Sequence, residues 1–303
     1  MGAKARTIRA EASREWLKAA FQKPARFLIA KGVRPTLPLP ARMRIVARIA
    51  GNNLLARSFL CTELLKDLSE SDPMEFHRFL WANHVRGNSY GKTYEILKRF
   101  GNENLRTSRS ELIGFLQACL KDHGMEPKRD VESVFDVGCS LGYLLRFLET
   151  EVFTTATCLR GTDVDRYAVE TGNAYLHSLG SRIELVTGDA NDLDAAMGQR
   201  KYDVVLCCGV LMYLDEDAGT RAVRTMLAHT SGLLGMITLA HPLADNAELP
   251  RSYVRPEDLG FVHNVDRMVV EAGGRIVFRK WTGPSEAVRI PPLFILARPR
   301  ETN

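Results

Sequence analysis

The sequence predicts an α/β protein built on a parallel sheet, preceded by an all-helical segment. Three observations carry that reading. From about residue 131 onward, short apolar runs alternate with helical patterns, the spacing expected of βαβ units. The first run, Val134-Phe135-Asp136-Val137, passes directly into Gly138-Cys139-Ser140-Leu141-Gly142 and then a helical pattern, which reads as strand, tight turn and helix start. Before about residue 125 the patterns are helical throughout. The expected domains are therefore a helical 1–125 and an α/β 126–303.

Composition narrows the classes. The chain has 303 residues, 45% of them hydrophobic, enough for one large or two modest domains with a substantial core. Its six cysteines are scattered at 61, 119, 139, 158, 207 and 208 with no Cys-x-x-Cys. They read as free thiols of a reducing compartment, so a cytoplasmic location is expected. No secretory h-region and no run of about 18 apolar residues occurs, so no transmembrane segment is expected. The net charge of +5 is uneven: residues 1–60 hold 13 Lys/Arg against Glu11 and Glu15. The basic balance belongs to an N-terminal arm.

Taken in order, residues 11–22 form an amphipathic helix with Trp16, Leu17, Ala20 and Phe21 on one side. Pro35, Pro38 and Pro40 mark an extended linker, and a helical pattern follows over about 41–68, broken at Gly51-Asn52-Asn53. This arm either docks on anionic lipid or nucleic acid, or packs its apolar stripe and leaves its cations in water. Asp72-Pro73-Met74-Glu75 is a helix start with a cap, a first-turn proline and a capping box. On that helix His77, Trp81 and His84 share a face, and Tyr90 and Tyr94 follow. The group reads as a lid over a binding site or as inter-helix packing. No third ligand lies near His77 and His84, so no metal is expected. Ser108-Arg109-Ser110-Glu111 opens a further helix that Gly124 ends.

Strands are expected at about 133–137, 155–163, 182–187, 202–208, 233–240, 275–281 and 292–298. In parallel sheets ligands bind beyond the carboxyl ends of the strands, so the residues there are the candidates. After the first strand come Asp136, Gly138, Cys139, Ser140 and Gly142. The second ends at Asp163-Val164, where an acidic side chain can accept hydrogen bonds from ribose hydroxyls; Asp165 is expected to cap the next helix. The third is followed by Gly188-Asp189-Ala190, with Asp192 as a helix cap. The fourth leads into Gly209-Val210-Leu211-Met212-Tyr213, and Asp215 starts a helix. The fifth ends at His241-Pro242, and a polar loop with Tyr253 follows as a substrate-side lid.

These four motifs, in this order, resemble those of the class I S-adenosylmethionine (SAM)-dependent methyltransferases. The resemblance spans about 131–298 and implies a Rossmann-like seven-stranded sheet, mostly parallel, with its last strand antiparallel. It implies SAM as cofactor and S-adenosylhomocysteine as product. In the family the glycine turn lets the backbone approach the methionine part of the cofactor, with Asp136 holding the turn or meeting the amino group. Asp163 and Val164 would serve the ribose. Asp189 and Ala190 would serve the adenine, and Gly209 and Val210 would line the adenine and substrate side. Tyr94 is placed with the cofactor, and Tyr90, Tyr213 and Trp81 with the substrate. The N-terminal helical part is expected to be a cap, a substrate element or an oligomerisation element.

The resemblance implies methyl transfer to an oxygen or nitrogen. The absent Asn-Pro-Pro-Tyr after the fourth strand argues against amino-directed DNA and RNA enzymes. Cys207 and Cys208 read as core residues of a buried strand rather than base-methylating nucleophiles. The Mg²⁺-binding carboxylates of catechol enzymes are not recognised. The reading is a small-molecule acceptor in a tailoring step of natural product biosynthesis, no nucleic-acid partner, and a homodimer left open. An acceptor that must lose a proton needs a base near neutral pKa, and His241 and His84 are the candidates. The alternatives are an RNA or protein methyltransferase using the basic arm, and a SAM-binding protein without catalysis. A nicotinamide oxidoreductase is disfavoured because Ser140 stands where Gly-x-Gly-x-x-Gly requires glycine.

Overall fold

A computed structural model describes residues 24–50, 58–83, 100, 105, 107–256, 258–281 and 291–300. The chain divides into two compact units, residues 1–92 and 93–303.

The described part of the first unit is helical: α1 (Leu39–Ala50), α2 (Ser58–Leu64), α3 (Lys66–Ser71) and α4 (Pro73–Ala82). The proline-rich stretch is not the extended linker expected from its composition. Arg34–Thr36 forms a helical turn with Pro35 at its start, and α1 begins at Leu39 with Pro40 in its first turn. A first-turn proline gives up an N–H that would have had no helical partner anyway. The basic arm also departs from a purely solvated face. Arg42 is buried, its guanidinium 2.6 and 2.5 Å from the Asp67 carboxylate and 2.5 Å from the Leu64 carbonyl. The side-chain hydrogen bond from Arg42 holds the Asp67 carboxyl below the ordinary range. Asp72 caps α4 as its sequence predicts, its carboxylate accepting from the Glu75 amide at 2.9 Å. The 11–22 helix and the Gly51 break lie outside the described residues.

The second unit holds seven strands in one sheet: β1 (Ser133–Val137), β2 (Cys158–Asp163), β3 (Glu184–Thr187), β4 (Tyr202–Cys208), β5 (Thr230–Leu239), β8 (Gly274–Trp281) and β9 (Pro292–Pro299). Their order is β3-β2-β1-β4-β5-β9-β8. The first five are parallel, and β9 is inserted antiparallel between β5 and β8. β1 is buried along its whole length and β4 over nearly all of it, as befits continuous apolar runs covered on both faces. A two-stranded ribbon, β6 (Tyr253–Val254) with β7 (Phe261–Val262), forms where the sequence shows a polar loop after the fifth strand. Helices α6 (Tyr143–Phe147), α7 (Arg166–Ser178), α8 (Leu193–Met197), α9 (Glu216–Ala228) and α10 (Val265–Glu271) connect the strands.

A further helix, α5 (Thr107–Asp122), moves the domain boundary. Its sequence groups it with the helical N-terminal part. In the structure Leu112, Ile113, Leu116 and Leu120 share one core with Val134, Leu206, Leu233 and Phe294, and Phe115 stacks on Phe278 at 4.4 Å. The helix belongs to the α/β unit because its apolar stripe covers the sheet, which composition along the chain does not reveal.

Candidate functional site

The strand order reverses between β1 and β4: the chain runs outward from β1 through β2 to β3, then returns to β4 and β5 on the other side. Such a switch point leaves a crevice at the strands' carboxyl ends, where ligands of open α/β sheets bind. The register makes those ends level. Val137 pairs with Thr162 of β2 and with Cys207 of β4, and Asp163 pairs with Thr187 of β3. Asp136 to Gly142, Asp163-Val164, Asp189-Ala190 and Gly209-Val210 are therefore carried to one edge.

The first turn is held by β2. The amides of Gly138 and Cys139 donate to the Thr162 carbonyl at 2.8 and 3.0 Å, and the Ser140 amide donates to Asp163 Oδ2 at 2.8 Å. Gly138 has φ +75°, and a Cβ there would lie 2.2 Å from Val210 Cγ2. The first and fourth loops thus close on each other through a contact that only glycine permits. Ser140 itself has φ 51°, so the residue that breaks the dinucleotide fingerprint adopts the left-handed conformation nonetheless. The Cys139 side chain is buried against β2, where a Cβ on Gly161 would strike it at 2.6 Å. Its role in the turn is packing, and its burial raises the thiol pKa.

Asp163 uses one carboxylate oxygen on Ser140 and the other on its own loop, accepting from the Asp165 amide at 2.9 Å. The carboxylate is half-buried at the end of β2. Asp165 caps α7 through the Ala168 amide at 3.1 Å, and Asp215 caps α9 through the Ala218 amide at 2.8 Å, as expected. Asp192 stands at the cap position of α8 but makes no cap bond. Asp189 takes the turn-forming role there, accepting from the Asn191 amide and side chain at 2.9 Å each.

Below the turn Asp136 is 2% exposed. Burial pushes its carboxyl up to about 7; the Arg109 cation opposes that rise and the Asp163 charge adds to it. Arg109 is not among the residues that the sequence motifs single out. It belongs to the Ser108–Glu111 helix start, and Arg109, Leu112, Ile113 and Leu116 follow the i, i+3, i+4, i+7 spacing of the face that α5 buries. An arginine on an otherwise apolar stripe was the available signal. Cys207 and Cys208 at the end of β4 have thiol pKa values raised by burial, Cys207 to about 12. Such thiols are poor nucleophiles.

On the other side of the switch point the segment 241–264 forms a strap across the end of β5. Buried Asn246 ties it down: its Nδ2 donates to the Leu239 carbonyl at 3.0 Å and the His263 carbonyl at 2.8 Å, and its Oδ1 accepts from the His241 amide at 2.7 Å. Buried His263 donates from Nε2 to the Leu211 carbonyl at 2.9 Å and accepts from the Ser252 hydroxyl at Nδ1, 2.6 Å away. Burial lowers its pKa, which suits a neutral ring with that tautomer. The strap is thereby joined to the loop after β4, which carries half-buried Tyr213. His241 lies at the edge of the strap with Tyr253 edge-on at 5.2 Å. Its Nδ1 accepts from the Leu243 and Ala244 amides at 3.1 and 2.8 Å.

Trp81 lies half-buried on α4 of the first unit, and His77 is wholly buried there. His84, Tyr90 and Tyr94 lie outside the described residues. Among the described residues, no group of three His, Cys, Asp or Glu side chains could hold a metal ion, and no helix is long and apolar enough to cross a membrane.

Residues 134–231 match the family described as methyltransferase domain. This part of the chain is a methyltransferase domain, and its sheet has the fold of the SAM-dependent methyltransferases described next. The solved structure of an S-adenosylmethionine-dependent methyltransferase from Clostridium acetobutylicum ATCC 824 is similar at a TM-score of 0.50 and 12% identity, over 71% of this chain and 99% of that one. Magnesium protoporphyrin IX methyltransferase from Synechocystis PCC 6803, solved with bound SAM, is similar at a TM-score of 0.50 and 16% identity, over 76% of this chain and 98% of that one. At those identities the two structures speak to the fold of the methyltransferase unit and not to its acceptor. No curated protein matches the chain.

Proposed function

We propose that the chain transfers a methyl group from SAM to an oxygen or nitrogen of a small molecule, as a tailoring step in natural product biosynthesis. The observation that supports this reading best is the level register that brings the four motifs to the β1–β4 switch point. There Asp163 would receive the ribose hydroxyls, Asp189-Ala190 and Gly209-Val210 would flank the adenine, and the Gly138–Gly142 turn would admit the methionine part. SAM supplies, when bound, a methyl already activated by its sulfonium.

The chain's own residues then have to place the acceptor in line and keep water out. The strap over β5, with Tyr253, and the loop bearing Tyr213 are the elements at hand. In neutral His241 the two amides on Nδ1 leave the proton on Nε2. His241 is thus set to donate a hydrogen bond to the acceptor and orient it, rather than to abstract its proton.

Incubation with methyl-labelled SAM and an extract of the source organism, followed by acid precipitation, tests the reading. Label in the solvent-extractable fraction is expected. Label in the pellet would replace it with an RNA or protein acceptor and give the basic arm the substrate. Label in neither, with SAM bound, would mean a non-catalytic SAM-binding protein.

A further inference from the structure

The first unit presents an apolar helical face to the outside. Residues 24–36 are helical throughout. On the inner side of this helix Ile29 is buried, and Arg26 pairs with Glu63 of α2 at 3.1 Å. Phe27 and Leu28 point the other way and are 65% and 66% exposed. Lys31, one turn further on, is exposed with them, as are Pro24 and Pro35 near the two ends. The helix is therefore apolar on both sides, which suits a second contact on the outer one better than open water.

Charge says what that contact is. Residues 24–50 hold six Lys/Arg and no Asp or Glu. Two of the six are neutralised from outside the segment, Arg26 by Glu63 and Arg42 by Asp67. Lys31, Arg44 and Arg48 are exposed and have no ion-pair partner among the described residues. On α1, Ile45 is turned outward beside Arg44 while Val46 is buried. The occupant has to be apolar where it meets Phe27 and Leu28, and negative around them. A second copy paired through the same face would set these cations against their own likeness, which costs affinity. A nucleic acid would meet the cations but give Leu28 no apolar seat. An anionic bilayer supplies both, with phosphates for the cations and an acyl boundary for side chains inserted roughly 5–10 Å deep.

We propose that the outer face of residues 24–36 seats the protein on the surface of an anionic phospholipid bilayer. Phe27 and Leu28 enter the acyl boundary, while Lys31, Arg44 and Arg48 draw the first unit to the headgroups. The helix lies in the interface and does not cross it, since a span needs about 20 apolar residues. Neither the crevice of the second unit nor SAM takes part in this attachment.

The full chain is sedimented with vesicles of phosphatidylcholine, either alone or with about a third phosphatidylglycerol. The wild type is expected to bind the anionic vesicles roughly a hundredfold more tightly at about 0.1 M salt, about fivefold for each of the three exposed cations, and to lose most of that preference at about 0.5 M. Phe27→Ser with Leu28→Ser should weaken binding to the anionic vesicles by about tenfold or more, and Lys31→Gln by about fivefold. These side chains are exposed, so the variants are expected to fold. Equal wild-type affinity for the two vesicles, or none for either, overturns the proposal, and this arm needs no variant. Binding that the double serine variant leaves unchanged overturns it too, because charge alone would then suffice. Tighter binding to a mixed-sequence RNA at the same salt, unaffected by the double variant, would give the face to nucleic acid instead. A dimer in light scattering that the double variant dissolves would give it to a second copy, and either result overturns the membrane assignment.

Discussion

The two sides of the switch point are built by different means. On the side of the proposed cofactor site, from β3 through β1 to β4, each candidate residue lies within a few positions of a strand end, and its partners are the turn itself or a neighbouring strand or loop. On the other side, beyond β5, where the proposed function puts the acceptor, the segment 241–264 is held by buried polar side chains whose partners are distant in sequence. Asn246 reaches His263, and His263 reaches back to Leu211. A crevice that recognises a fixed cofactor can be assembled from local turns. A surface fitted to a particular acceptor uses a segment whose conformation the rest of the fold must supply.

The sharpest way to break the cofactor side is Gly138→Ala. It places a Cβ against Val210 in a backbone conformation with φ +75°. A loss of about 3 kcal/mol is expected from the left-handed backbone and the overlap together, with SAM binding abolished in calorimetry. Adding Val210→Ala should recover the overlap part, because the two sites are coupled. No recovery would mean that the backbone alone requires glycine.

The corresponding break on the acceptor side is Asn246→Ala. It strands the Leu239 and His263 carbonyls and the His241 amide. Buried groups left unsatisfied cost about 2 kcal/mol in total stability here, read as a lower urea midpoint. Turnover should fall while SAM affinity stays within about twofold. A parallel loss of SAM affinity would show that the two sides are not separable.

The third expectation concerns pH. The Asp136 carboxyl is raised to about 7 by burial, above its unfolded value, so the folded chain holds a proton that the unfolded chain releases. Asp136 therefore favours folding most at low pH and loses that contribution as pH rises from about 4 to about 7. The ligand-free protein should lose up to about 1.4 kcal/mol per pH unit across that window from this group, and Asp136→Asn should remove the slope. An unchanged slope in urea titrations at about pH 5 and pH 7 would place Asp136 among ordinary ionised carboxylates.

The smallest effect is expected at His241. A general base should cost about a hundredfold or more in turnover when removed. A hydrogen-bond donor held by its own loop should cost less than about tenfold on His241→Asn, with the pH profile of kcat unchanged. A larger loss with an altered acid limb would restore the base.

Much of the fold was legible from local signals. Asp72, Asp165 and Asp215 cap the helices they precede, and the β4 run Tyr202–Cys208 forms the strand its apolar character predicts. Where short-range signals misled, a compatible alternative existed. Prolines that suit an extended linker also suit a first helical turn, and Asp192 has Asp189 as a neighbour able to organise the same turn. Arg42 and Arg109 show the deeper limit. Both are arginines in helical patterns; nothing adjacent in the chain marks Arg42 as buried, and only the apolar stripe around Arg109 hints that it faces inward.

What the sequence determined by itself was the strand–turn–helix series, the glycine and aspartate positions at the strand ends, and with them the cofactor class. Those features depend on backbone conformation and side-chain periodicity within a few residues. The tertiary structure decided that α5 covers the sheet, that Arg109 lies over the Tyr143 ring, and that Asn246 and His263 bind the strap to the loop after β4. Burial and pairing of polar groups depend on which surfaces the fold brings together, and that information is spread over the whole chain rather than written at any one position.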